Sequence, residues 1–375
     1  MPRPEEAKDI IVCIGCYDNL TNIYTTFIHR TDFIPGVQTS IFDDRLHEVY
    51  YYKSESELLS GFIKFIQENE PDILTGYNLI SFDMLYLLNR MINLGININS
   101  LSPIRQAYTK SNESVIKGIA QLDFMQVYRK LSENQEASYT LDNIAKKNIG
   151  EGKTEDSAPI RQLWKSEVER LILYNISDVM LVRKLEEKLK FIDFIDEVRR
   201  TCFCQYEDAM STTKTLDSYI LHMFHNKIVF STKIHKRDEE EFEGAFVETW
   251  AKGIYENVAV FDLKSLYPST IVSLNLSLET IDNGSTNYIE VRNHKVDKSK
   301  KGFIPIVIEH LWVERAKYKK LMKTVDLNSD QYELYNNRQK AVKILLNGLY
   351  GQTAYPGSRF YDIRIADTTT YIGRE

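Results

Sequence analysis

The chain is 375 residues long, 43% hydrophobic and 27% charged, with 47 basic and 53 acidic side chains and a net charge of −6. That size and apolar content suffice for two or three globular domains, and the acidic balance excludes binding of nucleic acid by bulk charge, so any such contact must come from local patches. Four cysteines in so long a chain form no disulfide framework and fit a reducing, cytoplasmic setting, while the start "MPRPEEAKDII" and the lack of any long apolar run give no sign of a signal peptide or a membrane span.

In chain order, Ile10 to Tyr17, Ile23 to His29 and Val49 to Tyr52 read as strands. Cys13 and Cys16 of "CIGC" fall in the first, where an offset of three sends them to opposite faces and argues against zinc. The helical pattern of "SESELLSGFIKFIQEN" follows, then a buried strand, "PDILTGYN", and a second helix, "FDMLYLLNRMINLG". This alternation predicts an α/β domain reaching about Lys190 through the helix "SEVERLILYNISDVMLVRKLEEKLK". A more irregular segment ends in an acidic run, Arg237 to Glu243, read as a solvated connector. Val258 to Phe261 then reads as a buried strand closed by the carboxylate of Asp262. Tyr267, before a proline, is biased toward an extended backbone, and Pro268 suits the first turn of a helix. The basic stretch "HKVDKSKKG" (His294 to Gly302) reads as a solvated loop. Trp312 to Thr324 and Asp330 to Tyr350 read as a helical hairpin, with Asp330 and Glu333 as a capping box on its second helix.

Three groupings point to chemistry. An acid where a strand ends is ordinarily the chain meeting water, but the turn between Asp262 and the next helix leaves amides around Lys264 to Leu266 free for an anion, as a metal–phosphate site requires. Arg315 and Lys319 share one helical face, and Lys343, Asn347 and Tyr350 form a stripe on the next helix. Cations, an amide and an aromatic ring in one cleft suit a triphosphate with a stacked base, although charged helix faces are most often simply solvated. Upstream, Asp83 stands just past an apolar strand beside Asn78 and Phe82, while Tyr174 and Asp178 share a helical face. Two such acids can share divalent cations, the tyrosine orienting a water.

These residues carry a resemblance. "DLKSLYPS" and "KILLNGLYG" (Lys343 to Gly351) resemble motifs A and B of family B DNA polymerases, and "GYNLISFD" and "YNISD" are similar to the second and third motifs of their proofreading 3′→5′ exonuclease. "EGAFV" (Glu243 to Val247) and "RFYDIRIAD" (Arg359 to Asp367) suggest the lineage of T-even-like tailed bacteriophages. The resemblance implies an α/β part followed by an α+β part: an RNase H-like exonuclease domain over 1–190, a connecting segment over 191–243, the first part of the palm over 244–305, a helical-hairpin fingers subdomain over 306–355 and the start of a second palm segment over 356–375. It implies Asp262, with the carbonyl of Leu263, as a polymerase metal ligand, and Ser265, Leu266, Tyr267, Arg315, Lys319, Lys343 and Asn347 as nucleotide-binding. Asp83 and Asp178 would ligate the exonuclease metals and Tyr174 would orient the attacking water, with Asn78, Phe82, Tyr350 and Gly351 meeting DNA. Magnesium, replaceable by manganese, is the implied cofactor. The implied partners are primer–template DNA, deoxynucleoside triphosphates and a sliding clamp or second polymerase chain, with no membrane, in the cytoplasm, or the host's if the chain is viral.

The departures matter as well. Gly348 stands where motif B usually carries serine, and Thr270 where isoleucine is usual. The first exonuclease motif, an Asp and a Glu two apart, is expected before Met1, and motif C, with the second palm aspartate, after Glu375. Three readings therefore stay open: a fragment inactive alone, a subunit of a split polymerase, or a non-catalytic DNA-binding remnant.

Overall fold

The computed structural model describes residues 3–132, 135–153, 158–234, 242–249 and 252–375, in two units, Met1–Ile192 and Asp193–Glu375. The first unit opens with four strands, β1 (Cys13–Asp18), β2 (Ile23–His29), β3 (Gly36–Phe42) and β4 (Arg45–Tyr52). They form one sheet in the order β1-β2-β4-β3, with β2 and β4 parallel and the other pairs antiparallel. The first strand starts later than its apolar pattern implies, because the Ile11 N–H is diverted to the Glu55 carboxylate at 2.7 Å. The third was not legible at all: its residues are almost all exposed, so no apolar alternation marks it.

Helix α1 (Glu55–Asn69) begins at Ser54, whose hydroxyl accepts from the Glu57 N–H, and it buries Leu58, Leu59, Phe62, Ile63 and Ile66 in a cluster that includes Phe27. Five apolar side chains on one face of a helix this long explain why it forms there. Strand β5 (Ile73–Gly76) pairs in parallel with a later strand, β8 (Ala120–Asp123), and between them lie helix α2 (Met84–Asn93) and the hairpin of β6 (Ala107–Lys110) and β7 (Glu113–Ile116). Ser111 and Asn112 at the hairpin tip both have positive φ, the geometry of a two-residue I′ turn. Helices α3 (Phe124–Leu131), α4 (Leu141–Ile149), α5 (Ile160–Ser166) and α6 (Val168–Leu189) complete the unit. α6 lies close along β1: a Cβ at Gly15 would stand 2.3 Å from the Asn175 side-chain oxygen. Cys13 and Cys16 are free thiols, pushed by burial up to about 12.

Helix α7 (Phe191–Cys202) begins at the boundary between the units. The second unit continues with α8 (Tyr206–Ala209), α9 (Thr212–Met223), α10 (Leu266–Leu274), the hairpin of β9 (Tyr288–Val291) and β10 (His294–Asp297), α11 (Phe303–Met322), α12 (Asp330–Ala354) and α13 (Ile363–Arg374). Phe224, Phe230, Phe303 and Phe360 pack edge-on or tilted at its centre, an arrangement that suits the ring quadrupoles.

Four expectations need correction here. Val258 to Phe261 is not a buried strand but exposed coil, with Val260 at 87% and Phe261 at 91% exposure. An apolar strand needs neighbours to pair with, and none of the described residues offers one. Tyr267 is helical rather than extended, since α10 starts at Leu266 and takes Pro268 within its first turn, where the missing N–H costs nothing. The basic stretch from His294 is in part a strand, with Val296 and Asp297 buried. Finally, α12 is capped by Ser329, whose hydroxyl accepts from the Tyr332 N–H at 3.1 Å, so Asp330 is inside the helix rather than at its cap. The acidic run read as a connector lies, up to its last two residues, outside the described residues. Among the described residues no helix is long and apolar enough to cross a membrane.

Candidate active sites

The first site is built where β5 meets α2. After Gly76 the chain turns through Asn78, which has a left-handed φ of 63°, into a single wide turn over Leu79–Asp83 that leads into α2. Asp123, almost fully buried at the end of β8, holds this turn. One of its oxygens accepts from the N–H groups of Asn78, Met125 and Gln126, the other from Ile80. The same carboxylate thus caps α3 and fixes the loop that presents Asp83. Phe82 is tied back to the Asn78 carbonyl, and both side chains are half-buried beside Asp83.

Asp83 stands exposed at the rim, and its carboxyl is raised to about 6, first by desolvation, then by Asp123, with Asp178 adding and Lys153 opposing. Because the group reaches water, screening limits what that shift is worth in stability. Asp178, on α6, accepts from the Lys153 ammonium at 2.6 Å, and the Lys153 N–H is in turn held by Asp142 at 2.8 Å. Tyr174 lies one turn before Asp178, half-buried. The structure therefore brings Asp83 and Asp178 within reach of each other's charge, as their positions in the sequence imply. Sequence reasoning missed Asp123 and Lys153. A carboxylate closing "AQLD" just before a helix is an N-cap signal that could have found the first. Nothing local marks the second.

Among the described residues no three Asp, Glu, His or Cys side chains gather closely enough to cage a metal ion. Asp83 and Asp178, the second of which helps to raise the carboxyl of the first, nevertheless fit one hard divalent cation, which commonly takes one or two carboxylates and completes its shell with water and substrate phosphate.

The second site surrounds the start of α10. Ser265 occupies the cap position with a φ of 55°, so the N–H groups of Leu266 and Tyr267 have no intrahelical acceptor and point out of the helix end. Ser265, Leu266, Tyr267 and Pro268 line a cavity of about 270 Å³ together with Asn347 and Tyr350 from α12. The rings of Tyr267 and Tyr350 meet at 4.5 Å, and burial, then Tyr267 and Asp367, pushes the Tyr350 hydroxyl up to about 12. On its other side Tyr267 touches Gly373 of α13, where a Cβ would come within 3.2 Å of the ring.

Cations crowd the same region. Lys319 is lowered from the usual lysine value chiefly by Arg315, then by burial and by Lys264, Lys343 and Lys323. The Arg315 Nε is buried without a partner, and among the described residues none of Arg315, Lys319 and Lys343 pairs with a carboxylate. Unpaired cations held against one another lower their mutual repulsion by taking an anion. Asp262 and Leu263 lie on exposed coil just before this turn, and Gly351 is exposed with open space where a Cβ would be. Asp262 brings one carboxylate only, so the described residues do not build a two-ion site around it.

Residues 1–144 match "DNA polymerase family B, exonuclease domain" and residues 206–375 match "DNA polymerase family B". The chain belongs to family B of the DNA polymerases. Asp83 lies in the first matched range and the cavity between α10 and α12 in the second, while Tyr174 and Asp178 fall between them. Among individual relatives, the DNA-directed DNA polymerase of Escherichia phage RB69 is 30% identical over 309 residues, 75% of this chain and 34% of the relative. The DNA polymerase of Desulfurococcus sp. (strain Tok) is also 30% identical, over 86% of this chain and 43% of its own length. The DNA polymerase delta catalytic subunit of Schizosaccharomyces pombe is 27% identical over 88% of this chain and 33% of its own length. The chain thus spans between a third and just under half of the relatives it matches.

Proposed function

We propose that this chain is the exonuclease-plus-polymerase portion of a replicative DNA-directed DNA polymerase, with two separate sites. The observation that carries the reading is the cluster of Lys264, Arg315, Lys319 and Lys343, without a carboxylate partner among the described residues, near the cavity lined in part by Tyr267, Asn347 and Tyr350. The four cations match the charge of a deoxynucleoside triphosphate. The amides of Ser265 and Leu266 approach its phosphates, and the Tyr267–Tyr350 pair gives the sugar and base an apolar floor. The face of Tyr267 packs under the sugar and leaves no room for a 2′-hydroxyl. Gly351, with its open surface, lets the primer–template backbone approach α12. The helical pair α11 and α12 corresponds to the fingers, and the coil around Asp262 to the palm.

At the first site, an RNase H-like exonuclease reading assigns the frayed 3′ end to Asn78 and Phe82. Asp83 and Asp178 ligate metal, Tyr174 orients the attacking water, and Lys153 holds Asp178 in place and offsets negative charge. Magnesium, when bound, would neutralise the phosphate and polarise the attacking oxygen. The exposed apolar stretch Val258 to Leu263 favours a second reading alongside the first, a split polymerase in which another chain supplies the strands and carboxylates that complete the palm.

The DNA-binding half is tested by fluorescence anisotropy of a primer–template bearing unpaired 3′ nucleotides. Stacking of a base on an aromatic side chain contributes about 1–3 kcal/mol, so Phe82→Ala should weaken binding of the frayed end by roughly 5-fold or more and leave a fully paired end unaffected. Equal affinity for both ends in the unmodified chain would remove the exonuclease reading.

A further inference from the structure

Gly348 sits among the site residues of α12, one residue after Asn347 and two before Tyr350, yet it faces another helix. A Cβ at this position would stand 2.4 Å from the Thr212 methyl carbon and 3.1 Å from Leu216 Cδ1, both on α9. One turn further along the same face, the Gln352 side-chain amide donates to the Thr213 hydroxyl at 3.3 Å, and Gln352 is itself buried. The first turn of α9 therefore lies directly against α12 at the level of the cavity. Lys343, Asn347 and Tyr350 occupy a neighbouring face of α12, so the spacing between the two helices sets how far these three side chains reach toward the cavity.

We propose that Thr212 is a positioning residue of the nucleotide site, and that Gly348 is glycine because the Thr212 methyl fills the space a side chain would need. The proposal rests on the nucleotide-site reading above and adds to it a pair of residues that must match in size. Carbon–carbon contacts settle at about 3.5–4.0 Å, so any side chain at 348 must part the helices by roughly 1 Å or turn Thr212 aside. Thr212 is β-branched, which limits its χ1 to few rotamers and so restricts how it can turn aside. Displacement of α12 by that distance shifts Asn347 and Tyr350 against Tyr267 and weakens their hold on a nucleotide. The usual glycine penalty in a helix interior is offset here by close helix packing.

The experiment measures dATP affinity, with magnesium, and melting temperature for four forms of the full chain: unmodified, Gly348→Ser, Thr212→Ala and the double variant. A displacement of this size costs about 10-fold or more in a positioned site. Gly348→Ser should therefore lose about that much affinity, and Thr212→Ala added to it should restore most of the loss. Gly348→Ala repeats the comparison with a smaller side chain, so the test survives if serine prevents folding. Recovery of melting temperature without recovery of affinity would show a merely structural contact and overturn the positioning role. Unchanged affinity in both 348 variants, or a loss that Thr212→Ala does not relieve, would also overturn it. If the unmodified chain fails to take dATP, the nucleotide-site reading falls and the positioning role with it. Normal binding without coupling between 212 and 348 defeats this proposal alone.

Discussion

Asp83 shows how the acidity of a single side chain is set by what surrounds it. Its carboxyl is raised to about 6 from an ordinary 3.8 by desolvation and by neighbouring carboxylates, so the folded chain holds that proton more tightly than the unfolded chain does. The sign follows from that: the contribution favours the fold fully below 3.8 and is lost as pH rises through about 6, leaving an ionised group at a cost near neutrality. Asp83→Asn should therefore raise the melting temperature near neutral pH, with the gain shrinking as pH falls through that window, and scanning calorimetry across pH reads it. Lys153→Ala should move the Asp83 titration, followed by carboxyl-carbon NMR, to higher pH, because the ammonium lowers it. No movement would separate Lys153 from this site. At this scale the sequence was informative where a residue's role depends on its own position. Asp83 and Asp178 could be singled out because the first follows an apolar strand across a single turn and the second stands on a helix face. Asp123 acts through backbone N–H groups and Lys153 through a loop, and neither leaves a periodic trace.

Elements were legible where burial imposes a period. The helices of the hairpin were found from theirs, but α11 starts well upstream of its predicted Trp312, at Phe303. The residues in between are apolar almost without interruption and carry no helical stripe, and Pro305 in the first turn looks like a stop although it is tolerated there. The cap of α12 is a similar case. Ser329 accepts from the Tyr332 N–H, so Ser329→Ala should cost about 1 kcal/mol of stability, and Asp330→Ala distinctly less, in urea denaturation of the two variants. The reverse order would reinstate Asp330 as the cap. Thr270, unusual for its motif, is explained locally: its buried hydroxyl donates to the Leu266 carbonyl at 3.0 Å, so no polar group is left unsatisfied. Val258 to Phe261 failed as a strand for the opposite reason. Its apolar run is a property of the segment, whereas a strand is a property of a pair.

Across the whole molecule the net charge is −6, and the bulk composition says nothing of DNA. The functional signal lies in its uneven distribution, four cations with no carboxylate partner among the described residues, in the second unit beside a cavity partly lined by tyrosines. Membership of family B was visible in four short motifs, and Ser265, Leu266, Tyr267, Asn347 and Tyr350, named from two of them, line one cavity; its size was not legible, because α10 and α12 are separated by tens of residues and meet only in the fold. The most direct test is calorimetric titration of the full chain with dATP and magnesium, compared with its Lys343→Ala variant. A charge-assisted hydrogen bond contributes about 1.5–3 kcal/mol, so the variant should bind at least ~10-fold more weakly, while its affinity for duplex DNA stays the same. Equal dATP affinity in the two proteins, or a loss confined to DNA binding, would contradict the assignment of this cavity to the incoming nucleotide.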